Sequence, residues 1–458
     1  MPSSKSNNVS FMKAEPLPLG LRNVLAVSDT HICYSVTSKK NLLRVIDTLS
    51  GEKVILRGHE SAVLDLQFSP ADGSVLCSVD DAGGAGFDGK PHCIVWRKQG
   101  GCDWQTHASL LLPATQVVPH PQSPLVWALC DGVRVGVVDC AQGSQLTAGS
   151  YEALPLNVRL EGSQGKITDV AFSPSGTRLL VVVQPLPGGG PSLLRTYALG
   201  SSSGGGSGGM QLLGQFRPDG YVGAARWVGG YVFALSERPS VGGGQEGVIE
   251  VWGVEETSSS VPVRVQTVSI TLPPFSSSQN LTNSTQGASP LYDLSLTCEP
   301  RRGRYLVLAS RRAQLVAVFA VAQEGQEGQG GQGGQGPPLY HVTCLDLRAP
   351  VVSLDASTIL GQEHHSAEAG EHLELSCYQE AASEGQASVQ QYHVLVGQLF
   401  CAKAYAAAYQ QWRNAGSPAA PAAAPTSTSI PAPISAPTST SASASAPQRV
   451  PSPRPPAP

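Results

Sequence analysis

Val63-Leu64-Asp65-Leu66-Gln67-Phe68-Ser69-Pro70, with Gly73 shortly after, returns as Ile167-Thr168-Asp169-Val170-Ala171-Phe172-Ser173-Pro174 with Gly176. A looser copy runs Tyr292-Asp293-Leu294-Ser295-Leu296, followed by Pro300, Gly303 and the apolar run 305–309. In each copy the alternation of apolar and polar residues predicts a strand, Pro and Gly turn the chain, and a second apolar strand follows. Other short runs of the same kind are 24–27, 43–46, 94–96, 248–252 and 315–319. Helical periodicity is nearly absent. The exception is 402–413, where Tyr405, Tyr409 and Trp412 would share one helical face, unless the stretch ends a last strand.

Around the first copy the residues have a second regularity. Gly58-His59 precede the Asp65 strand, Ser78 lies in the next strand, Asp80 or Asp81 follows at the turn, and Trp96 closes an outer strand. This is the signature of a WD repeat, and the distance from His59 to Trp96 fits its period of about 40–45 residues. The residue types have a physical reason. Imidazole, hydroxyl, carboxylate and indole can form one hydrogen-bonded chain that ties the outer strand to the inner ones and leaves no buried polar group unpaired. The expected fold is therefore all-β, a WD-repeat β-propeller. Seven units are expected, near 22–50, 54–99, 104–145, 154–199, 211–256, 263–322 and 338–405.

The expected domain plan is a flexible N-terminus over 1–20, a propeller over 21–413 with low-complexity inserts, and a disordered tail over 414–458. The inserts are Gly/Ser-rich 200–209, Ser/Asn-rich 275–289, the Gly/Gln tract 323–336 and polar 361–387. Such tracts bury too little apolar area to offset the entropy of ordering them. The tail is Pro, Ala, Ser and Thr without one acidic residue.

Composition narrows the function classes. Charged residues make up 14% and the net charge is −4, so no global field draws the chain to nucleic acid or to an acidic membrane. No apolar run approaches the ~18 residues of a membrane helix, and 1–20 has no signal-peptide character. The ten cysteines have no C-x-x-C pair and mostly sit in apolar runs, which predicts buried free thiols in a reducing compartment. The cytoplasm is the expected location.

Formal enzyme motifs lack the context their chemistry needs. Gly200-Ser201-Ser202-Ser203-Gly204 spells a nucleophile elbow inside a Gly/Ser tract. Gly84-Ala85-Gly86-Phe87-Asp88-Gly89 leads into a strand, so no helix N-terminus awaits a phosphate. His364, His365, His372 and Glu363 lie in a polar stretch that reads as a solvated loop. No catalytic residue, cofactor or metal is expected. His59, Asp80 and Asp81 read as blade residues. The one local basic cluster is Arg301, Arg302, Arg304, Arg311 and Arg312, suited to RNA phosphate or an acidic partner but without aromatic residues to stack bases.

The runs 24–28, 43–46, 62–68 and 94–97, then 292–319 and Gly397-Gln398-Leu399-Phe400-Cys401, resemble in order and character the N-terminal propeller of the enhancer-of-mRNA-decapping scaffold family, called Varicose in plants. The resemblance covers about residues 21–405 and rests on the colinear order of the runs. It implies a non-catalytic scaffold in cytoplasmic processing bodies, which brings the decapping enzyme and its activators together to promote 5′-cap removal. Family members continue through a Ser-rich linker into a helical domain that carries oligomerisation, so this chain is expected to be a monomer. Two other readings stand beside it: a WD-repeat adaptor in ubiquitin ligation, trafficking or chromatin, and an RNA-binding propeller using the arginines.

Overall fold

The computed structural model describes residues 9–10, 23–36, 41–81, 92–101, 103–141, 150–151, 154, 156–160, 165–185, 190–200, 209–239, 245–254, 262–271, 294–298, 303–310, 315–321, 339–346, 351–360, 371–380 and 387–395. The described residues form strands and their turns, arranged as seven four-stranded antiparallel sheets. The inserts 275–289 and 323–336, residues 201–208 of the Gly/Ser-rich insert, the stretch 402–413 and the tail lie outside the described residues. The polar stretch 361–387, expected as a loop, instead contains the strand Glu371–Glu380, where His372 pairs with Ile359 and Leu395, because its apolar residues alternate with polar ones; only 361–370 and 381–386 of it lie outside the described residues. Gly416–Pro458 separates as its own unit from Met1–Ala415. Among the described residues no helix is long and apolar enough to cross a membrane.

The chain opens with β1 (Val9–Ser10). Blade 1 then holds β2 (Leu25–Val27), β3 (His31–Ser35), β4 (Leu42–Asp47) and β5 (Lys53–Arg57). Blade 2 holds β6 (Val63–Phe68), β7 (Val75–Asp80), β8 (Cys93–Gly100) and β9 (Asp103–Leu110). Blade 3 is β10 (Gln116–Pro119), β11 (Val126–Cys130), β12 (Arg134–Asp139) and β13 (Leu156–Arg159). Blade 4 is β14 (Lys166–Phe172), β15 (Arg178–Gln184), β16 (Leu193–Leu199) and β17 (Met210–Phe216). Blade 5 comprises β18 (Val222–Val228), β19 (Tyr231–Pro239), β20 (Gln245–Gly253) and β21 (Val263–Thr271). Blade 6 comprises β22 (Leu294–Cys298), β23 (Tyr305–Ser310), β24 (Leu315–Val321) and β25 (Leu339–Asp346). Blade 7 is built from β26 (Val351–Leu360), β27 (Glu371–Glu380) and β28 (Ala387–Leu395), and its fourth strand is β1.

The first strand of each blade touches the first strand of the next, and β26 touches β2, so the seven sheets close into a ring. The molecule is a seven-bladed propeller. Val9 pairs with Val389 and Ser10 with Ser388, so the N-terminus supplies the outer strand of the last blade. Part of the stretch expected to be flexible, 1–20, is therefore a strand. Two residues are too short for any periodicity, and only the distant partner β28 defines this one.

The repeat units and the sheets are out of step by one strand. The unit 54–99 contains β5 to β8, that is, the outer strand of blade 1 and three strands of blade 2. The same offset holds through 338–405, which contains β25 to β28. The unit 22–50 has only three strands, and its missing first strand is β1.

Burial explains why the second strands are continuous apolar runs. All six residues of β7 and all six of β23 are buried, because a blade is covered on both faces by its neighbours. Alternate residues serve alternate interfaces. Leu76 packs in a cluster with Ala26, Leu43 and Trp96 between blades 1 and 2, whereas Val75, Cys77 and Val79 pack with Val117 and Trp127 between blades 2 and 3. Outer strands such as β5 are mostly exposed or half-buried. Of the seven cysteines whose side chains are described, all free, six are buried in these layers.

Candidate functional site

Blade 2 assembles the predicted chain of polar groups. Trp96 Nε1 donates to Ser78 Oγ at 2.8 Å, and Ser78 Oγ lies 2.6 Å from His59 Nε2. The far side of the imidazole, Nδ1, faces Asp80 Oδ2 at 3.3 Å. One assignment fits these contacts: indole donates to hydroxyl, hydroxyl to His59 Nε2, and His59 Nδ1–H faces the carboxylate. Asp80 also lies 2.9 Å from His92 Nδ1. Burial would push the Asp80 carboxyl up, but its hydrogen bonds with His59 and His92 outweigh that and leave it lowered. Gly58 leaves room for the tryptophan, since a Cβ there would come within 2.9 Å of Trp96 Cη2 and of Ile94 Cδ1. Of the two candidate aspartates, Asp80 joins this chain. Asp81 is exposed, and its amide donates to Ala62 O at 2.9 Å.

Asp65 has a different task. It is 1% exposed, and its Oδ2 accepts the amide of Val117, which belongs to the inner strand of the next blade, at 2.9 Å. The repeat partner Asp169 does the same for Ala225 at 2.8 Å, and Asp355 for Val27 at 2.7 Å. These inner-strand carboxylates therefore clasp blade 2 to 3, blade 4 to 5, and blade 7 to 1. Asp293, the third copy in the sequence, lies outside the described residues. Asp355 was not singled out by the sequence reading. Its signal is present, because Leu354-Asp355-Ala356 is another inner strand interrupted by one carboxylate.

The Pro/Gly turns of the repeat make a second set of inter-blade contacts at the opposite ends of the inner strands. A Cβ on Gly73 would meet Ser28 Cβ at 2.9 Å, one on Gly176 would meet His120 Nε2 at 2.1 Å, and one on Gly303 would meet Val228 Cγ1 at 2.6 Å. Each of these turns thus leans on the preceding blade. His120 accepts the amides of Gln122 and Ser123 at Nδ1, so Nε2 carries the proton that it donates to Gly176 O at 3.1 Å.

Blade 5 replaces the hydroxyl chain with ions. Trp252 matches Trp96: both stand in the third strand where pairing with the outer strand shifts register. Opposite Ile94 in blade 2 is Ser78, whereas opposite Glu250 in blade 5 is Ala234. Glu250 is fully buried, accepts the amide of Asp219 at 2.9 Å, and lies 3.6 Å from Arg264, which also binds the Asp219 carboxylate. The Arg264 guanidinium sits 6.0 Å from the centre of the Trp252 ring. No sequence template pointed to this substitute, because its residue types differ at every position except the tryptophan.

The inner strands also bring Arg226 to Asp169, 2.8 Å from Oδ2. Burial pushes the half-buried Asp355 carboxyl up to about 6, against the bonds it accepts from the amides of Val27 and Ala356 and the attraction of Arg226. Among the described residues no group of three or more His, Cys, Asp and Glu could hold a metal ion. Of the basic cluster only Arg304 is described, directly before β23; Arg301, Arg302, Arg311 and Arg312 lie outside the described residues. β23 separates its own ends by roughly 17 Å at about 3.3 Å per residue.

No protein-family model matches the chain. A stretch of 63 residues is 38% identical to enhancer of mRNA-decapping protein 4 of Danio rerio. It covers 13% of this chain and 5% of that protein. Among solved structures, the chain is similar to the β-propeller domain of Cps50 (Swd1) from Myceliophteria thermophila, with 12% identity and a TM-score of 0.47 over 84% of this chain and 99% of that one. It is also similar to Chaetomium thermophilum Sqt1 bound to the N-terminus of ribosomal protein L10, with 14% identity and a TM-score of 0.43 over 82% and 88%. The propeller assignment rests on the strand pairing and ring closure described above.

Proposed function

We propose that this chain is a non-catalytic scaffold of the cytoplasmic mRNA-decapping machinery, acting in processing bodies through contacts with the decapping enzyme and its activators. The observation that supports this reading is the 63-residue similarity to the decapping enhancer, set in a ring of seven blades. The chemistry of the described polar residues agrees with it. His59, Ser78, Asp80 and Trp96 are occupied with one another, and Asp65, Asp169 and Asp355 with the backbone of neighbouring blades. Groups held in this way position strands rather than substrates, and what a propeller then offers is its loops and rims.

The test is affinity purification of the full chain from its own cells, with and without nuclease, followed by mass spectrometry and a decapping assay on the recovered complex. Decapping factors retained after nuclease treatment, with cap removal in the eluate, are the expected result. Ligase, trafficking or chromatin subunits instead would replace this reading with another adaptor role. Partners lost on nuclease treatment would point to RNA as the ligand and to the arginines around Arg304.

A further inference from the structure

Two histidines on one face of the ring hold their neighbours in a way that only the neutral imidazole allows. The face is the one that carries the turns between first and second strands: 28–30 in blade 1, 69–74 in blade 2, 120–125 in blade 3 and 173–177 in blade 4. At the seam of blades 1 and 2, His31 opens β3 and is 3% exposed. Thr30 Oγ1 lies 2.8 Å from its Nδ1, and Lys98 Nζ, from β8 of blade 2, lies 2.9 Å from its Nε2. An ammonium is a donor only, so Nε2 accepts and the ring is neutral, with its proton on Nδ1 towards Thr30. Lys98 also pairs with Asp47 at 3.2 Å, and these two are the charged groups that face the imidazole. Phe68 and Trp104 of blade 2 pack against it, the tryptophan edge-on.

At the seam of blades 3 and 4, His120 is bound differently but to the same effect. Its Nδ1 accepts two amides, from Gln122 and Ser123, while Nε2–H donates to Gly176 O across the seam. Phe172 of blade 4 stands edge-on to the ring, and no charged group among the described residues faces it. The histidine of the seam between them, His107, only donates, to Cys140 O at 2.9 Å, so a further proton breaks no bond there.

We propose that His31 and His120 are proton-operated latches, which hold blade 1 to blade 2 and blade 3 to blade 4 while neutral and release both seams in mild acid. At His31, proton uptake sets an imidazolium against the Lys98 ammonium. Asp47 stays ionised, held down to about 2 by the amide of Ser50 and by Lys98, but its one charge cannot neutralise two cations. Lys98 is the group that leaves, because its flexible stem is 19% exposed and the imidazole is buried. At His120 the new proton on Nδ1 meets two N–H groups, so the ring turns out and the bond to Gly176 goes with it. Burial lowers both histidines from their ordinary value, and Lys98 lowers His31 further. A base lowered on folding contributes stability that is full above about pH 6.5 and lost as the pH falls through its folded value. Asp355 titrates with the opposite sign, so the latches are read locally and not from global unfolding.

The test is magnetic resonance of the histidine rings, together with hydrogen–deuterium exchange at about pH 7.5 and pH 5 corrected for the intrinsic rate. It uses the full chain and its Lys98→Met variant, with His31→Gln and His120→Gln to assign the ring signals. Both rings should take up their protons below about pH 6.5 but above about pH 5. With them, the amides of His31 and Lys98 at the first seam and of Gln122 and Ser123 at the second should exchange roughly fivefold faster or more, while those of β9 and β12 hold. Lys98→Met keeps the stem and removes the ammonium, so His31 should bind its proton roughly threefold more tightly there, with His120 unmoved. Rings still neutral at about pH 5 overturn the proposal, as does unchanged exchange at the two seams once the rings are protonated. A His31 that titrates alike in Lys98→Met and the parent overturns the latch between blades 1 and 2.

Discussion

Trp96 contributes one hydrogen bond, but its ring is 3% exposed and fills the space that Gly58 leaves open between the first two blades. Replacing it by Ala removes the packing and strips Ser78 of its donor, so a loss of about 3–5 kcal/mol is expected in urea unfolding. Trp96→Phe keeps most of the volume and should cost only about 1–2 kcal/mol, the value of the lost hydrogen bond and of residual space. Equal effects of the two variants would show that the indole hydrogen bond, not packing, carries the position. Asp355 gives the residue scale its pH dependence. Its carboxyl is raised in the folded chain, to about 6. Folding therefore favours its protonated form, and the associated stability is present below the unfolded value near 4 and lost as pH rises through about 6. Asp355→Asn keeps an oxygen for the Val27 amide and cannot ionise. The variant should gain about 1–2 kcal/mol on the parent between pH 4 and 7, with partial exposure of the group limiting the size. A constant difference across that range would place the titration elsewhere.

At the scale of elements, the turn after β14 shows how a short motif joins two blades. Gly176 has φ of +74°, and a Cβ there would overlap the His120 ring that donates to its carbonyl. Gly176→Ala should cost roughly 1–3 kcal/mol through both strain and displacement of His120. His120→Ala in the same chain should recover part of that cost, because the two penalties share one cause. The strands themselves were legible in the sequence, since two buried faces demand unbroken apolar runs such as 75–79 and 305–309. The recurrent Asp and Pro/Gly positions were legible as a repeat, but not their role, because their partners lie in another blade: Asp65 and Val117 are 52 residues apart. β1 was illegible for the same reason, carried further, since Val9 pairs with Val389, 380 residues on in the chain. Blade 5 hid its Glu250–Arg264 pair because ions replace a hydroxyl chain and keep none of its letters but the tryptophan.

For the whole molecule, the decisive feature is the one-strand offset between repeat and blade. Each connection from a third strand to its outer strand leads away from one repeat unit and into the next, while the two strands stay zipped in one sheet. The ring is thus joined like dovetailed timber, and severing the chain at such a connection does not separate the pieces. A single cut within 255–261 would divide blade 5 between two fragments, three strands on one and β21 on the other, still paired from Glu246 with Thr271 to Gly253 with Val263. The fragments should elute together in native size exclusion and part only in denaturant. A cut within 272–293, between blades 5 and 6, would leave no backbone ladder at the break; the fragments would share only the short β1–β28 pairing on the far side of the ring, and the interface at the break would depend on side chains such as Phe233, Leu296 and Phe319. Nicked molecules of the first kind should therefore outlast those of the second, so this protein's persistence after proteolysis depends on where in the repeat the chain is cut.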